Sequence, residues 1–382
     1  MNLANWEDAR DAARRRLPKI FFDFIDGAAF SETTARANID DFEKWTLEQR
    51  VLVDVADRHL STRYLGTGRP SPLILGPVGF AGLFAPNAEI KAARAAHNAG
   101  IPFCLSNFGI VSMEALRDAT DGPLWFQLYV LKDRDLSENL LRRAQSIGVE
   151  ALVITVDSQV KSVREKDTRN GFRTLTKLTP GLALKLMRKP RWVAGALMAG
   201  PIRINNLSDY PEYGTNALEQ AAKLGHLIDS SMTWDDVARF RERWKGKLII
   251  KGILSLEDAA QCARLGVDAI IVSNHGGRQL DGARSSISVL PEVVGEVGDK
   301  LDVLFDGGVR RGGHVVKAMA LGAKGVLLGR SYAYAVAADG QRGVETLLEL
   351  MRVEMDVAIG HIGVRNFNEL FEHRDRVLRR HA

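Results

Sequence analysis

Eight short runs of mostly apolar, often β-branched residues recur between positions 72 and 330, and the segments between them switch to helical spacing. The runs are PLILGP (72–77), IPFCLS (101–106), LWFQLYV (124–130), ALVITVD (151–157), KLIIKG (247–252), AIIVSN (269–274), DVLFDGG (302–308) and GVLLGR (325–330). Near-continuous apolar runs are expected of parallel strands covered by helices on both faces. Between them, EIKAARAAHNAG, LSENLLRRAQSIGV, TWDDVARFRERW, SLEDAAQCARLGV and GGHVVKAMALGA read as amphipathic helices, several stopping at glycine. Eight βα units in about 260 residues predict an α/β fold, a (β/α)8 TIM barrel over about 66–360, so that residues 1–382 form one domain.

Three pieces stand outside the repeat. Residues 1–65 read as an N-terminal extension with a helix or two, and NFNELFEHRDRVLRRHA as a C-terminal tail. The connection after the fourth strand, about 158–232, is far longer than an ordinary βα loop and is expected to be functional. Within it, residues 168–208 hold Arg169, Arg173, Lys177, Lys185, Arg188, Lys189, Arg191 and Arg203 and no acidic residue. Cations mixed with Leu, Met, Val and Trp suit an anionic bilayer surface; the other reading is an active-site lid. No nucleic-acid motif accompanies the basic run, so nucleic acid is not expected as a partner.

Composition narrows the setting. With 46% hydrophobic and 26% charged residues the chain has a globular balance. Cys104 and Cys262 are far apart and show no metal-ligand spacing, which argues against a disulfide framework or a metal site and favours a reducing compartment. The N-terminus MNLANWEDARDAARRRLPK has no apolar stretch of the secretory kind, and no run reaches the length of a membrane span. The expected location is cytoplasmic, with attachment to a membrane surface left open.

The C-terminal ends of barrel strands are where such folds carry chemistry. Here they are consistently polar or glycine-rich: Pro77, Val78 and Gly79; Ser106 and Asn107; Gln127 and Tyr129; Thr155 and Asp157; Lys251; Ser273, Asn274 and His275; Asp306, Gly307 and Gly308; Gly329 and Arg330. DGGVRRGG (306–313) and GRSYA (329–333) follow the last two strands, where glycines, helix-start amides, Arg310 and Arg330 suit a phosphate.

Taken together, SNHGGRQLDG, DGGVRRG, FQLYV, IKG and TVD followed seven residues later by RE resemble the FMN-dependent L-2-hydroxy acid dehydrogenases and oxidases, over roughly residues 17–360. The resemblance implies that His275 takes a proton from the substrate and that Asp157 orients its ring. A histidine suits that task because it titrates near working pH. Arg278 corresponds to the carboxylate clamp, Arg164 to a second cation and Tyr129 to a hydroxyl donor near the substrate oxygen. Lys251 corresponds to the cation beside the flavin's pyrimidine edge. Pro77, Val78, Gly79, Ser106, Gln127, Thr155 and Ser273 correspond to contacts of the flavin ring and ribityl chain. Asp306, Gly308, Arg310, Gly329 and Arg330 correspond to ribityl and phosphate ligands. A homotetramer is also implied.

The chain departs from that pattern at one position. Relatives carry a tyrosine shortly after the LPK element, and LPKIFFDFIDGAA places Phe24 there. A phenyl ring donates no hydrogen bond, so one leg of the carboxylate clamp is missing, which favours a larger or more apolar 2-hydroxy acid. Gly79 in GPVGF matches dehydrogenases slow with oxygen, and the basic insertion resembles the attachment segment of mandelate and lactate dehydrogenases. These features imply electron transfer to a membrane quinone at the inner face of the cell membrane. The alternatives are an oxidase that forms hydrogen peroxide and a barrel that binds a phosphate ligand without redox chemistry.

Overall fold

A computed structural model describes residues 3–172 and 175–381, so Arg173, one of the eight cations of the insertion, lies outside the described residues. Each apolar run forms a strand: β1 Leu73–Leu75, β2 Phe103–Ser106, β3 Leu124–Leu128, β4 Ala151–Thr155, β5 Lys247–Ile253, β6 Ala269–Val272, β7 Asp302–Asp306 and β8 Gly325–Leu328. They pair in parallel and close into a barrel, with Val326 of β8 in register with Leu73 of β1.

The two-residue period of the strands sorts their side chains between two cores. Ile74, Cys104, Trp125, Val153, Ile249, Ile271, Leu304 and Leu327 fill the interior of the barrel. Their neighbours Leu75, Leu105, Phe126, Leu152, Ile250, Ile270, Phe305 and Leu328 pack against the surrounding helices. Tyr64 joins the inner core from a hairpin of Thr62–Tyr64 and Thr67–Arg69. That hairpin is fastened to the N-terminal ends of β7 and β8, where Leu65 N–H donates to Asp302 at 2.6 Å. The hairpin covers this end of the barrel, and the candidate cavity opens at the other.

The N-terminal extension carries three helices, Trp6–Arg16, Lys19–Asp26 and Thr33–Asp40. Its strand Trp45–Leu47 pairs antiparallel with Leu378–Arg380 of the tail, so the extension and tail are joined. The insertion is mostly helical: Glu165–Asn170, Pro180–Met187, Pro190–Ala199 and Ala217–Leu227. Trp192 anchors it by donating to the Leu83 carbonyl at 2.8 Å and stacking near Phe21, ring centroids 5.0 Å apart. Leu184, Met187, Leu197 and Met198 remain more than half exposed. Among the described residues, no helix is long and apolar enough to cross a membrane.

Candidate active site

At the end of β6 the chain turns through three successive left-handed residues, His275 (φ 58°), Gly276 (φ 63°) and Gly277 (φ 72°). Gly277 is required by close approach, since a Cβ there would lie 2.5 Å from the Ala35 amide nitrogen, while at Gly276 the left-handed backbone itself favours glycine. The strained backbone of His275 is held by its own N–H, which donates to Ser273 Oγ at 3.0 Å.

The turn delivers the imidazole between two partners. Nδ1 is 2.8 Å from Asp157 Oδ1, at the end of β4, and Nε2 is 3.2 Å from the Tyr129 hydroxyl, at the end of β3. With Nδ1–H donated to the carboxylate, Nε2 keeps a lone pair on the cavity side. Burial is the main force holding the histidine pKa below its usual value; Asp157 opposes that shift, while Lys251 and Arg164 reinforce it. His275 is therefore neutral, and able to accept a proton, at neutral pH. Burial alone would raise Asp157, but His275, Lys251 and Ser158 more than offset it and hold the carboxylate below its usual range.

A buried ion pair adjoins it. Lys251 Nζ is 3.0 Å from Asp306 Oδ2, and Ser273 Oγ bridges them, accepting from Lys251 at 2.9 Å and donating to Asp306 at 2.7 Å. Burial works against the ammonium, but Asp306 and Asp157 raise its pKa, so it stays charged. A fixed positive charge in a dry site stabilises negative charge that develops beside it.

Arg278 and Arg164 converge on Phe24. The Arg278 guanidinium lies 5.0 Å and that of Arg164 5.9 Å from the Phe24 ring centroid, within cation–π range. Nη1 of Arg278 also donates to the carbonyls of Phe24 and Gly27, each at 2.8 Å. Phe24 packs edge-on to Phe80 and at 4.7 Å from Phe172, which extends an apolar wall from Phe84 to the insertion. On the opposite side Phe108 stacks on Tyr129 at 5.0 Å.

One cavity brings together most of the expected residues: Phe24, Pro77, Val78, Gly79, Ser106, Tyr129, Thr155, Arg164, Lys251, His275, Arg278, Asp306, Gly308, Arg310, Gly329 and Arg330. Gln127, Asp157 and Ser273 do not line it. Asp157 stands behind His275, Ser273 between Lys251 and Asp306, and Gln127 accepts the Ser106 hydroxyl at 2.9 Å. Arg330, expected at the phosphate, donates to the carbonyls of Ile25, Gly27 and Gly276. The helix start after β7 also differs from expectation: Gly312 N–H is taken by Glu354 at 2.6 Å, so a carboxylate already caps the amide expected to meet an anion.

Sequence reasoning missed Ser158, Gln279, Phe80, Phe84 and Phe172 as cavity residues. Ser158 and Gln279 directly follow Asp157 and Arg278, and that adjacency was the available signal. Nothing in the sequence placed Phe172 beside Phe24.

Several buried polar atoms around this cavity lack a hydrogen-bond partner among the described residues: Asn107 Nδ2, Gln127 Nε2, Thr155 Oγ1 and Arg310 Nε. Leaving such groups unpaired is costly. The set, three nitrogen donors and a hydroxyl beside a cationic lysine, fits a flat polar ring with a phosphorylated tail. Burial, with Arg330 and Arg10, lowers Arg310 to about 10, and its guanidinium lies 5.1 Å from the Trp6 ring. An anion there would relieve that destabilisation.

A sequence profile of the FMN-dependent dehydrogenases matches residues 13–377. L-lactate dehydrogenase of Pseudomonas syringae pv. syringae (strain B728a) is 44% identical over 371 residues, 97% of this chain and 97% of the relative. L-lactate dehydrogenase of Caulobacter vibrioides (strain NA1000 / CB15N) is 44% identical over 373 residues, again 97% of each. Among solved structures, the monotopic membrane protein (S)-mandelate dehydrogenase superposes with a TM-score of 0.94 at 37% identity over all of both chains. A mandelate oxidase with (S)-4-hydroxymandelic acid gives 0.85 at 34% identity over 99% of each chain. The non-redox alternative is thereby set aside: the chain is an enzyme of the FMN-dependent L-2-hydroxy acid dehydrogenase family, and FMN is its cofactor.

Proposed function

We propose that His275 is the base in the oxidation of an L-2-hydroxy acid bearing a bulky apolar side chain, with electrons passed on to a membrane quinone. The observation that carries this reading is the pairing of His275 with Asp157 at 2.8 Å in the cavity that also holds Arg164 and Arg278. Asp157 holds Nδ1–H, so Nε2 accepts the substrate proton and the resulting imidazolium faces a carboxylate. Arg278 and Arg164 supply forked donors for the substrate carboxylate, and Tyr129 a hydroxyl for its oxygen. FMN, when bound, would accept the two electrons and the second proton that the acid gives up. Lys251, Thr155, Gln127 and Ser106 would hold its ring, Pro77, Val78 and Gly79 would run beneath it, and Ser273 would position Lys251. Asp306, Gly308, Arg310 and Gly329 would hold its ribityl chain and phosphate, with Arg330 able to add only the N–H groups left by its bonds to Ile25, Gly27 and Gly276.

Phe24, Phe80, Phe84 and Phe172 support an aryl or long alkyl side chain, since they offer apolar surface and no donor. The relatives' names set the range, L-lactate at one end and mandelate at the other. Anaerobic bleaching of the flavin by a series of 2-hydroxy acids tests the reading: the bulkier acids should bleach it at lower concentration. A uniform preference for lactate would contradict the assignment of the side chain.

The acceptor is assigned from Gly79 and from 168–208. A Cβ at Gly79 would make only ordinary contacts, 3.4 Å to Phe108 Cβ, so the protein alone does not exclude alanine there. The exposed Leu184, Met187, Leu197 and Met198, set among cations, support peripheral attachment at the anionic inner face of the cell membrane; the homotetramer rests on the family resemblance alone. An oxidase is the second reading, favoured by the mandelate oxidase among the similar structures. Reoxidation of the reduced enzyme in air, slow beside reoxidation by a soluble quinone, separates the two.

A further inference from the structure

Two polar side chains to which the sequence reading gave no role, Ser158 and Gln279, complete the surroundings of His275. Ser158 is buried, 5% exposed; its hydroxyl donates to Asp157 Oδ1 at 3.0 Å and lies 3.4 Å from His275 Nδ1. Gln279 Nε2 in turn donates to Ser158 Oγ, while the Gln279 carbonyl accepts from Ser162 Oγ at 2.7 Å. The loop after β4 and the loop after β6 are thus tied together directly behind the imidazole.

The chain of hydrogen bonds has one direction. An amide N–H only donates, so the serine oxygen accepts from Gln279 and its single hydrogen is turned to Asp157. Oδ1 of Asp157 receives that hydrogen together with Nδ1–H of His275, and Nε2 is left as the acceptor beside Tyr129. Building on the reading of His275 as the base, we propose that Ser158, held by Gln279, is a positioning residue that sets how tightly Asp157 holds the Nδ1 proton of His275.

The charged and titratable groups that face the imidazole come from several elements: Asp157 after β4, Lys251 on β5, Asp306 on β7, Tyr129 after β3, Arg164 in the insertion and Arg278 on its own loop. None of them changes when Ser158 is altered. The hydroxyl bond draws negative charge away from Asp157. Without it, Asp157 becomes a stronger acceptor and the imidazolium is held more firmly, so His275 should titrate at higher pH.

The test uses the FMN-loaded protein and its Ser158→Ala, Ser158→Thr and Gln279→Ala variants. One readout is the 15N titration of the His275 ring, recognised by its absence in His275→Gln; the other is the pH dependence of anaerobic flavin reduction. Ser158→Ala should raise the ring titration and the acid limb by about 0.5–1 pH unit, a roughly three- to tenfold loss of rate below the limb. Ser158→Thr keeps the hydroxyl and should behave as the unaltered protein, and Gln279→Ala should shift both in the same direction by less. If Ser158→Ala fails to hold FMN, the Gln279→Ala titration decides. An unmoved ring titration overturns the proposal. If His275→Gln still reduces flavin at full rate, the base assignment fails instead, and the ring titration continues to report the effect of Ser158.

Discussion

His275 and Asp157 share a 2.8 Å hydrogen bond between Nδ1 and Oδ1, and that bond aims Nε2 into the cavity. Asp157→Asn keeps the shape and removes the charge that opposes burial, Lys251 and Arg164. The histidine pKa should therefore fall further, and the acid limb of flavin reduction should move to lower pH. The plateau should drop roughly 100-fold or more, because the imidazolium loses its counter-charge. A stopped-flow pH series checks both; an unmoved limb and plateau would detach Asp157 from the reaction. The direction is opposite to that expected for Ser158→Ala.

Phe24→Tyr restores a donor where the apolar wall meets Arg278 and Arg164. A hydrogen bond to a charged group contributes about 1.5–3 kcal/mol, so KM for small acids such as lactate should fall roughly tenfold or more. The ring stays under both guanidiniums, so FMN binding should not change. A KM for lactate that stays level or rises would show that the substrate carboxylate sits elsewhere.

Replacing Leu184, Met187, Leu197 and Met198 together with serine should release the protein from anionic vesicles. Each large apolar side chain contributes about 1.5–3 kcal/mol when fully buried, so even partial insertion predicts a loss of at least roughly 100-fold in partitioning. Sedimentation with vesicles measures it. If the unaltered protein stays in the supernatant, the insertion is a lid and not an anchor.

His314 links stability to acid. It is buried and stacked on Phe42 at 4.2 Å, and burial, with Lys317, Arg310 and Arg311, lowers its pKa to about 4. The folded state thus prefers the neutral ring. Its contribution is fully present above the unfolded value near 6.5 and is lost as pH falls towards 4, by up to about 3 kcal/mol. His314→Phe should flatten the decline of Tm between pH 6.5 and 4, as calorimetry would show; an equally steep decline would assign that acid sensitivity to other groups.

The barrel was legible because β1 to β8 are nearly continuous apolar runs, a pattern that parallel strands covered on both faces impose. His275 and Asp157 stood out in the sequence as polar residues at strand ends, whereas their pairing and the role of Arg278 were expected only from the family resemblance; the fold brings the first two within 2.8 Å. The hairpin at the barrel floor was not, since TRYLGTGR carries little apolar signal beyond Tyr64. The antiparallel pair of Trp45–Leu47 and Leu378–Arg380 joins segments more than 300 residues apart, which no local pattern encodes. Phe172 reaches Phe24 only through the fold of the insertion. Two of the three carbonyls that hold Arg330 come from the Lys19–Asp26 helix and its exit and the third from Gly276, so only tertiary structure shows where that guanidinium is committed.

Whether His275 takes the substrate proton is read from His275→Gln, purified with FMN and mixed anaerobically with mandelate. The flavin should remain bound and stay oxidised for at least roughly 100 times longer than in the unaltered enzyme. Bleaching at the unaltered rate would contradict the account.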